Sequence, residues 1–162
     1  MAKLDHNACM GLALEEAHKG AILGNTFVGA VIVKDDQVIS RGYNTVISER
    51  NPLNHAETVA IANACRALGT GNLFGATLYS TMEPCPMCLW AIHRAGIGRL
   101  VLGGRLESMG RTDTGDYSVE KFWELVRQKI DLITGVRTEE CERLRHKWGN
   151  YPLELKSPPG LG

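Results

Sequence analysis

The sequence has no surplus of charge of either sign: eighteen Lys and Arg offset eighteen Asp and Glu. The balance is local as well, with 6 basic and 7 acidic side chains over residues 1–81 and 12 and 11 over residues 82–162. A chain without a basic field lacks the usual driving force for non-specific phosphate binding, so a nucleic-acid partner is not expected from charge. Also missing is any run of about 18 uninterrupted apolar residues, the length a membrane-spanning helix needs. The opening Met1-Ala2-Lys3-Leu4-Asp5 has no apolar stretch of the kind a secretion signal carries. Together these absences predict a soluble, cytoplasmic chain with no membrane partner. The five cysteines are an odd number in a chain of 162 residues with 44% hydrophobic side chains, large enough to fold around its own core. A disulfide framework is therefore not expected, and cysteine spacing must separate ligands from core residues. No repeat or low-complexity tract divides the chain, which predicts one domain over residues 1–150 and a Pro- and Gly-containing tail over residues 151–162.

What is present is an alternation of helical and strand-like patterns. Asp5 is placed to cap a helix carrying Leu4, Ala8 and Leu12, flanked by Ala13 and Ala17, and ending near Gly20. Phe27 to Val33 and Gln37 to Arg41, interrupted by Asp35-Asp36, read as a hairpin. A helix is expected over His55 to Leu68, a strand over Ala76 to Ser80, a helix over Pro86 to Ala95, and a strand over Arg99 to Leu102. Ser118 to Lys129, Ile130 to Thr134 and Glu139 to Lys147 then read as helix, strand and helix. The order implies an α/β fold with helices on both faces of the sheet.

The chemistry concentrates in His55-Ala56-Glu57 and Pro84-Cys85-Pro86-Met87-Cys88. Cys85 and Cys88 are three residues apart at the start of a helix, so one ion can take both sulfurs, and the helix N-terminus favours a thiolate at Cys85. His55 adds a third ligand from the start of another helix. Three protein ligands leave a fourth position open, as catalytic zinc sites do, and no further Cys or His pair stands ready to close it. Zn²⁺ with two thiolates and a neutral imidazole carries no net charge, so an activated water still needs a proton acceptor. Glu57 is the candidate, because positions i and i+2 do not share a helix face and Glu57 is poorly placed as a ligand. Blander readings exist: Asn54 and Glu57 resemble a capping box, and Cys85 and Cys88 could be a redox pair. Cys9, Cys65 and Cys141 have no ligand spacing and are expected in the core.

With these residues in place, the sequence from about Leu4 to Gly104 resembles the zinc-dependent cytidine and deoxycytidylate deaminase superfamily, whose His-x-Glu and Pro-Cys-x-x-Cys signature it carries. The resemblance implies a three-layer α/β/α fold with a central mixed sheet, Zn²⁺ as cofactor on His55, Cys85 and Cys88, and Glu57 moving protons. It further implies attack of water on a ring carbon bearing an exocyclic amine, with loss of ammonia. Val28-Gly29-Ala30-Val31 and Arg41-Gly42-Tyr43-Asn44 are similar to stretches in guanine, cytosine and tRNA adenosine deaminases. Asn44, Val28 and Ala56 thereby become expected substrate contacts.

Gly115-Asp116-Tyr117-Ser118 falls where bacterial guanine deaminases place an aspartate that reads guanine, with Asp113 as its neighbour and competitor. Trp148 or Tyr151 matches a C-terminal aromatic that covers the pocket in free-base enzymes. Trp90 and Phe27 depart from the family pattern near the inferred pocket, where glycine and proline are common. Asp116 and the C-terminal aromatic favour a free nucleobase-like small molecule, guanine first, while the Trp90 and Phe27 departures leave other rings open; the resemblance implies a homodimer. Cytosine, guanosine, an aminotriazine and tRNA adenosine are the alternatives, beside a non-catalytic zinc-stabilised binding module. A tRNA enzyme needs many phosphate contacts, and the loose basic run Arg94, Arg99, Arg105 and Arg111 that could supply them is offset by the later Glu-rich helix.

Overall fold

A computed structural model describes residues 5–110 and 114–149. The chain begins with α1 (His6–Ile22), whose first turn is closed by the Asp5 carboxylate accepting from Ala8 N at 2.6 Å. The buried face of α1 is Cys9, Met10, Ala13, Leu14 and Ala17, while Ala8 is exposed. This differs by about one position from the stripe expected around Ala8 and Leu12, because both alanine and the cysteine-methionine pair fit an apolar face. Gly20 does not end the helix; it lies inside it, buried against Tyr43 and Asn44.

Strands β1 (Gly29–Lys34) and β2 (Gln37–Tyr43) form the expected hairpin. Its two-residue turn, Asp35-Asp36, has φ of 51° and 55°. Two successive positive φ values match the right-handed twist of the flanking strands. Helix α2 (Ala56–Leu68) follows, ending at Gly69 in the left-handed conformation. Then come β3 (Thr77–Met82), α3 (Pro86–Arg94), β4 (Arg99–Gly104), α4 (Val119–Leu125), β5 (Asp131–Ile133) and α5 (Thr138–Gly149). The helix expected over residues 118–129 is thus shorter, ending at Leu125.

The sheet order is β2-β1-β3-β4-β5, with β1 antiparallel to both neighbours and β3, β4 and β5 parallel. This is the mixed central sheet of the expected α/β/α architecture. Alternation along the strands divides the core into two layers. Ala30, Ile32, Leu78, Leu100 and Leu102 pack with α2 and α3 on one face. Val31, Tyr79 and Val101 pack with α1 and α5 on the other. Two glycines set how closely helices approach the hairpin. A Cβ on Gly29 would collide with the α1 backbone at Ala13, and one on Gly42 with the α2 backbone at Ala56 and Ala60. Cys9 and Cys141 are fully enclosed, as expected of core thiols, and Cys65 is partly buried. Among the described residues no helix is long and apolar enough to cross a membrane.

Candidate metal centre

The parallel pairing of β3 with β4 sends the chain out of β3 at one edge of the sheet, where the N-termini of α2 and α3 converge. His55 is the N-cap of α2 and Cys85 the N-cap of α3, each with extended backbone and no side-chain capping bond. Their side chains are therefore available to each other. Pro86 occupies the first turn of α3, where a missing N–H costs nothing. Cys88 is one turn on and fully buried.

The three donor atoms lie within 4.8 Å of one another. His55 Nδ1 is 3.5 Å from Cys85 Sγ, and the two sulfurs are 3.6 Å apart. A tetrahedral Zn²⁺ with Zn–S near 2.3 Å and Zn–N near 2.05 Å requires N···S of about 3.6 Å and S···S of about 3.8 Å. The donor set and its spacing fit zinc. They do not fit a disulfide, since both cysteines are free thiols with separated sulfurs.

Electrostatics within the cluster point the same way. The Cys85 thiol is lowered to about 4, chiefly by its hydrogen bond with Cys88 and, against the opposing effect of burial, by His55. Cys88 is pushed up by the same hydrogen bond and by burial. The two sulfurs thus share one proton, which a bound divalent cation would displace. The His55 imidazole is raised, first by its hydrogen bond to Cys85.

Glu57 projects from the first turn of α2 into the same region and is almost entirely buried. Burial raises its carboxyl pKa above the usual carboxylate range. It does not form a capping box with Asn54, whose amide donates to Glu49 instead. Its partner is Ser80 on β3, with Ser80 Oγ 2.8 Å from Glu57 Oε1 and 2.7 Å from the Met82 carbonyl oxygen. One hydroxyl proton faces two acceptors. Ser80 can donate to an ionised Glu57, or accept from a protonated one while donating to Met82, so the Glu57 carboxyl keeps this partner in both forms.

The sequence reasoning missed Ser80. Its signal was a polar residue on the same strand face as Leu78 in an otherwise apolar stretch. Tyr117 was also missed: it packs against the α2 and α3 core layer and its hydroxyl donates to the Pro84 carbonyl. Burial and the nearby Glu83, Cys85, Cys88 and Glu57 raise the Tyr117 hydroxyl pKa.

Of the expected substrate contacts, Val28 and Asn44 come together, with Asn44 N donating to the Val28 carbonyl at 3.1 Å. Asn44 is buried, and its Oδ1 accepts from Val46 N at 3.1 Å, the bond of a turn residue. Ala56 is the first residue of α2 and fully buried. Two other expected contacts lie apart from the metal-binding cluster. Asp116 has a side chain 94% exposed and ion-paired with Lys121, so it faces solvent and not an enclosed ring edge. Trp148 is buried in the α1 and α5 layer against Phe27, ring centroids 5.7 Å apart, on the sheet face opposite α2 and α3. It is core filling, because the α5 stripe Cys141, Leu144, Trp148 faces the sheet. Phe27 shares that layer and does not line the metal side, while Trp90 lies half-exposed on α3 beside His93 and Phe122. Asp113, Arg111 and Tyr151 fall outside the described residues.

An α/β/α scaffold that presents one imidazole, two thiol groups and a buried carboxylate at converging helix N-termini defines a zinc hydrolase of the nucleobase-deaminating type. A family model describing the cytidine and deoxycytidylate deaminase zinc-binding region matches residues 3–104, and the chain belongs to that family. Zinc is accordingly its cofactor. The chain is 36% identical to the tRNA-specific adenosine deaminase of Bacillus subtilis (strain 168) over 80% of its own length and 79% of that protein's. A solved structure from a study of A-to-I editing by tRNA:A34 deaminases at the wobble position superposes with a TM-score of 0.70 at 34% identity. It covers 84% of this chain and 97% of the other. The guanine deaminase of Bacillus subtilis (strain 168) is 48% identical, over 52% of each chain.

These findings overturn the expectation of guanine as the first substrate. The sequence match to that guanine deaminase covers about half of each chain, whereas the sequence match to the tRNA-specific adenosine deaminase runs across about four-fifths of each. The expectation that nucleic acid is not a partner falls with it. Zero net charge limits the long-range field around a protein, but it does not describe what a particular face can contact. Within α5, for example, Glu139 and Glu140 occupy the first turn and His146 and Lys147 the last.

Proposed function

We propose that the protein is a hydrolytic adenosine deaminase acting on tRNA, converting an anticodon wobble adenosine to inosine with release of ammonia. The observation that carries this reading is the similarity to a tRNA-specific adenosine deaminase over 80% of the chain, extending well beyond the metal-binding motif.

His55, Cys85 and Cys88 hold the zinc, which supplies Lewis acidity that lets a water lose a proton near neutral pH. Glu57 would accept that proton at its carboxylate, deliver it to the purine ring nitrogen beside C6, and then carry the remaining proton of the added water from the C6 hydroxyl to the departing amine. The C6–N bond breaks, a C6–O bond replaces it, and no redox change occurs. Burial raises the Glu57 carboxyl pKa, which favours uptake of a proton, and Ser80 gives it a partner in both forms. Val28 and Asn44 form the wall where the ring packs and is hydrogen-bonded. Because the reacting carbon is inaccessible in a stacked helix, the substrate must present an extruded or looped nucleotide.

Incubation with unmodified tRNA, followed by digestion and mass spectrometry of the nucleosides, is the deciding experiment. Inosine at an anticodon adenosine is expected. Ammonia from free bases with no inosine in any tRNA would reject the proposal.

A further inference from the structure

Directly before the ligand-bearing Pro84-Cys85 stands Glu83, a carboxylate with a side chain only 2% exposed. Its surroundings are unusual in that all its donors come from one later stretch of chain. Glu83 Oε2 accepts from Arg105 Nε and from Leu106 N, both at 2.9 Å. Glu83 Oε1 accepts from Val119 N at 2.9 Å and from Arg105 Nη2 at 3.3 Å. One buried carboxylate thus binds the backbone at the beginning and at the end of the stretch joining β4 to α4. Arg105 closes the arrangement from outside through a second pair, with Glu120 Oε2 at 2.7 Å from Nη2. Between these anchors, Tyr117 reaches back to the Pro84 carbonyl.

We propose that Glu83 is a positioning residue that fixes Arg105-Leu106 and Val119 against the turn carrying Cys85, and so sets where the neighbouring Tyr117 stands relative to the metal-binding residues. The physical basis is geometric. Two backbone N–H groups thirteen residues apart are buried and have a single carboxylate as acceptor, so the separation of the chain ends is set by the width of that carboxylate. The ligand turn and Tyr117 then move together. The metal itself is held by His55, Cys85 and Cys88, which contribute no bond to Glu83. Loss of the clamp should therefore loosen substrate contacts more than it disturbs the chemistry. The kinetic arm of this proposal rests on tRNA being the substrate; the structural arm does not.

Two variants test it. Glu83→Gln leaves one carbonyl oxygen where two oxygens served, so one of the two backbone ends loses its acceptor. Val119→Pro removes the Val119 N–H, together with part of a buried side chain of the α2 and α3 layer. It sits at the first position of α4, which tolerates proline, after Ser118, whose φ of −147° and ψ of 164° suit a residue preceding proline. In both variants, amide hydrogen exchange over residues 105–110 and 114–118 should quicken by about tenfold, as expected for loss of one buried hydrogen bond, with α1 and β1 unchanged. Zinc should stay stoichiometric, KM for tRNA should rise about tenfold, and kcat should stay within about threefold of wild type.

Unchanged exchange in both variants would overturn the proposal. So would loss of zinc, or a fall in kcat at constant KM, since either would place Glu83 in support of the metal alone. If Glu83→Gln does not fold, Val119→Pro decides by the same readings. A wild-type protein that makes no inosine sinks the substrate reading, while exchange and zinc content still decide the clamp.

Discussion

Replacing Gly42 by alanine is a small change, yet it should damage the metal centre from the far side of a helix. Gly42 lies on β2 under α2, and an added Cβ would sit 2.5 Å from Ala60 N and 2.6 Å from the Ala56 carbonyl oxygen. Both neighbours are backbone, so no side-chain rotation relieves the contact. Ordinary van der Waals contact begins at 3.4 Å, so α2 must retreat by about 0.9 Å, the difference between 3.4 and 2.5 Å. Overpacking of this kind costs about 1–3 kcal/mol. In a chain of this size each kcal/mol lowers Tm by roughly 2–4 °C, so a loss of about 4–8 °C is expected for the middle of that range. His55 and Glu57 ride on the same helix end and move with it, whereas Cys85 and Cys88 stay with α3. A displacement near 1 Å at a reacting group costs about 10²-fold in rate. Thermal unfolding, zinc content by elemental analysis and inosine formation measure the three effects. Gly71→Ala, where nothing lies within 4 Å, is the control. A Gly42→Ala protein with Tm within about 1 °C of wild type and an undiminished rate would refute the account of how α2 is seated.

Glu57→Gln should retain zinc and fold while turnover falls by about 10²–10⁴-fold, because the amide keeps the shape but cannot carry the proton. Ammonia release at the wild-type rate would remove Glu57 from the mechanism. Chelation of zinc should abolish activity and lower Tm reversibly. At a zinc concentration 100 times its dissociation constant the stabilisation is about 2.7 kcal/mol, and re-addition of zinc should restore both readings. A Tm indifferent to chelator would contradict the assignment of His55, Cys85 and Cys88. Cys141 gives a pH test: burial raises its thiol from an ordinary value of 9.0 to about 12. The thiol therefore stabilises the fold fully below pH 9, and that contribution is lost as the pH rises towards 12. At pH 10 the loss is about 1.4 kcal/mol. Denaturant titrations at pH 8 and pH 10 should show Cys141→Ala losing less stability between the two than wild type does, and equal losses would count against burial as the cause.

The zinc-binding residues were readable because their chemistry is local. Cys85 and Cys88 lie within one helical turn, His55 and Glu57 within another, and a proline fixes where α3 starts; such patterns are written in adjacent positions. The strands were readable for the same reason, since Val31, Ile32 and Leu78 show their burial by type. Contacts between distant residues were not readable. Ser80 meets Glu57 across 23 residues and Arg105 meets Glu83 across 22. Nothing in either neighbourhood announces the partner. Nor was side-chain direction readable: Trp148 turns into the α1 and α5 layer and Asp116 towards solvent.

By itself, the sequence pointed to His55, Cys85 and Cys88 as ligands, to Glu57 as the candidate proton carrier and to the α/β character of the chain, since each is read from residue type at short spacing. It could also exclude a strong net field. Only the tertiary structure decided that α2 and α3 bring their N-termini to one edge of the sheet with donor atoms at zinc spacing. It also decided that Trp148 belongs to the opposite core layer, and that one carboxylate at Glu83 ties the 105–119 stretch to the metal-bearing turn. The physical reason is the same in each case. Side-chain direction and long-range pairing depend on which face of the sheet a segment covers, and that is settled by packing across the whole domain.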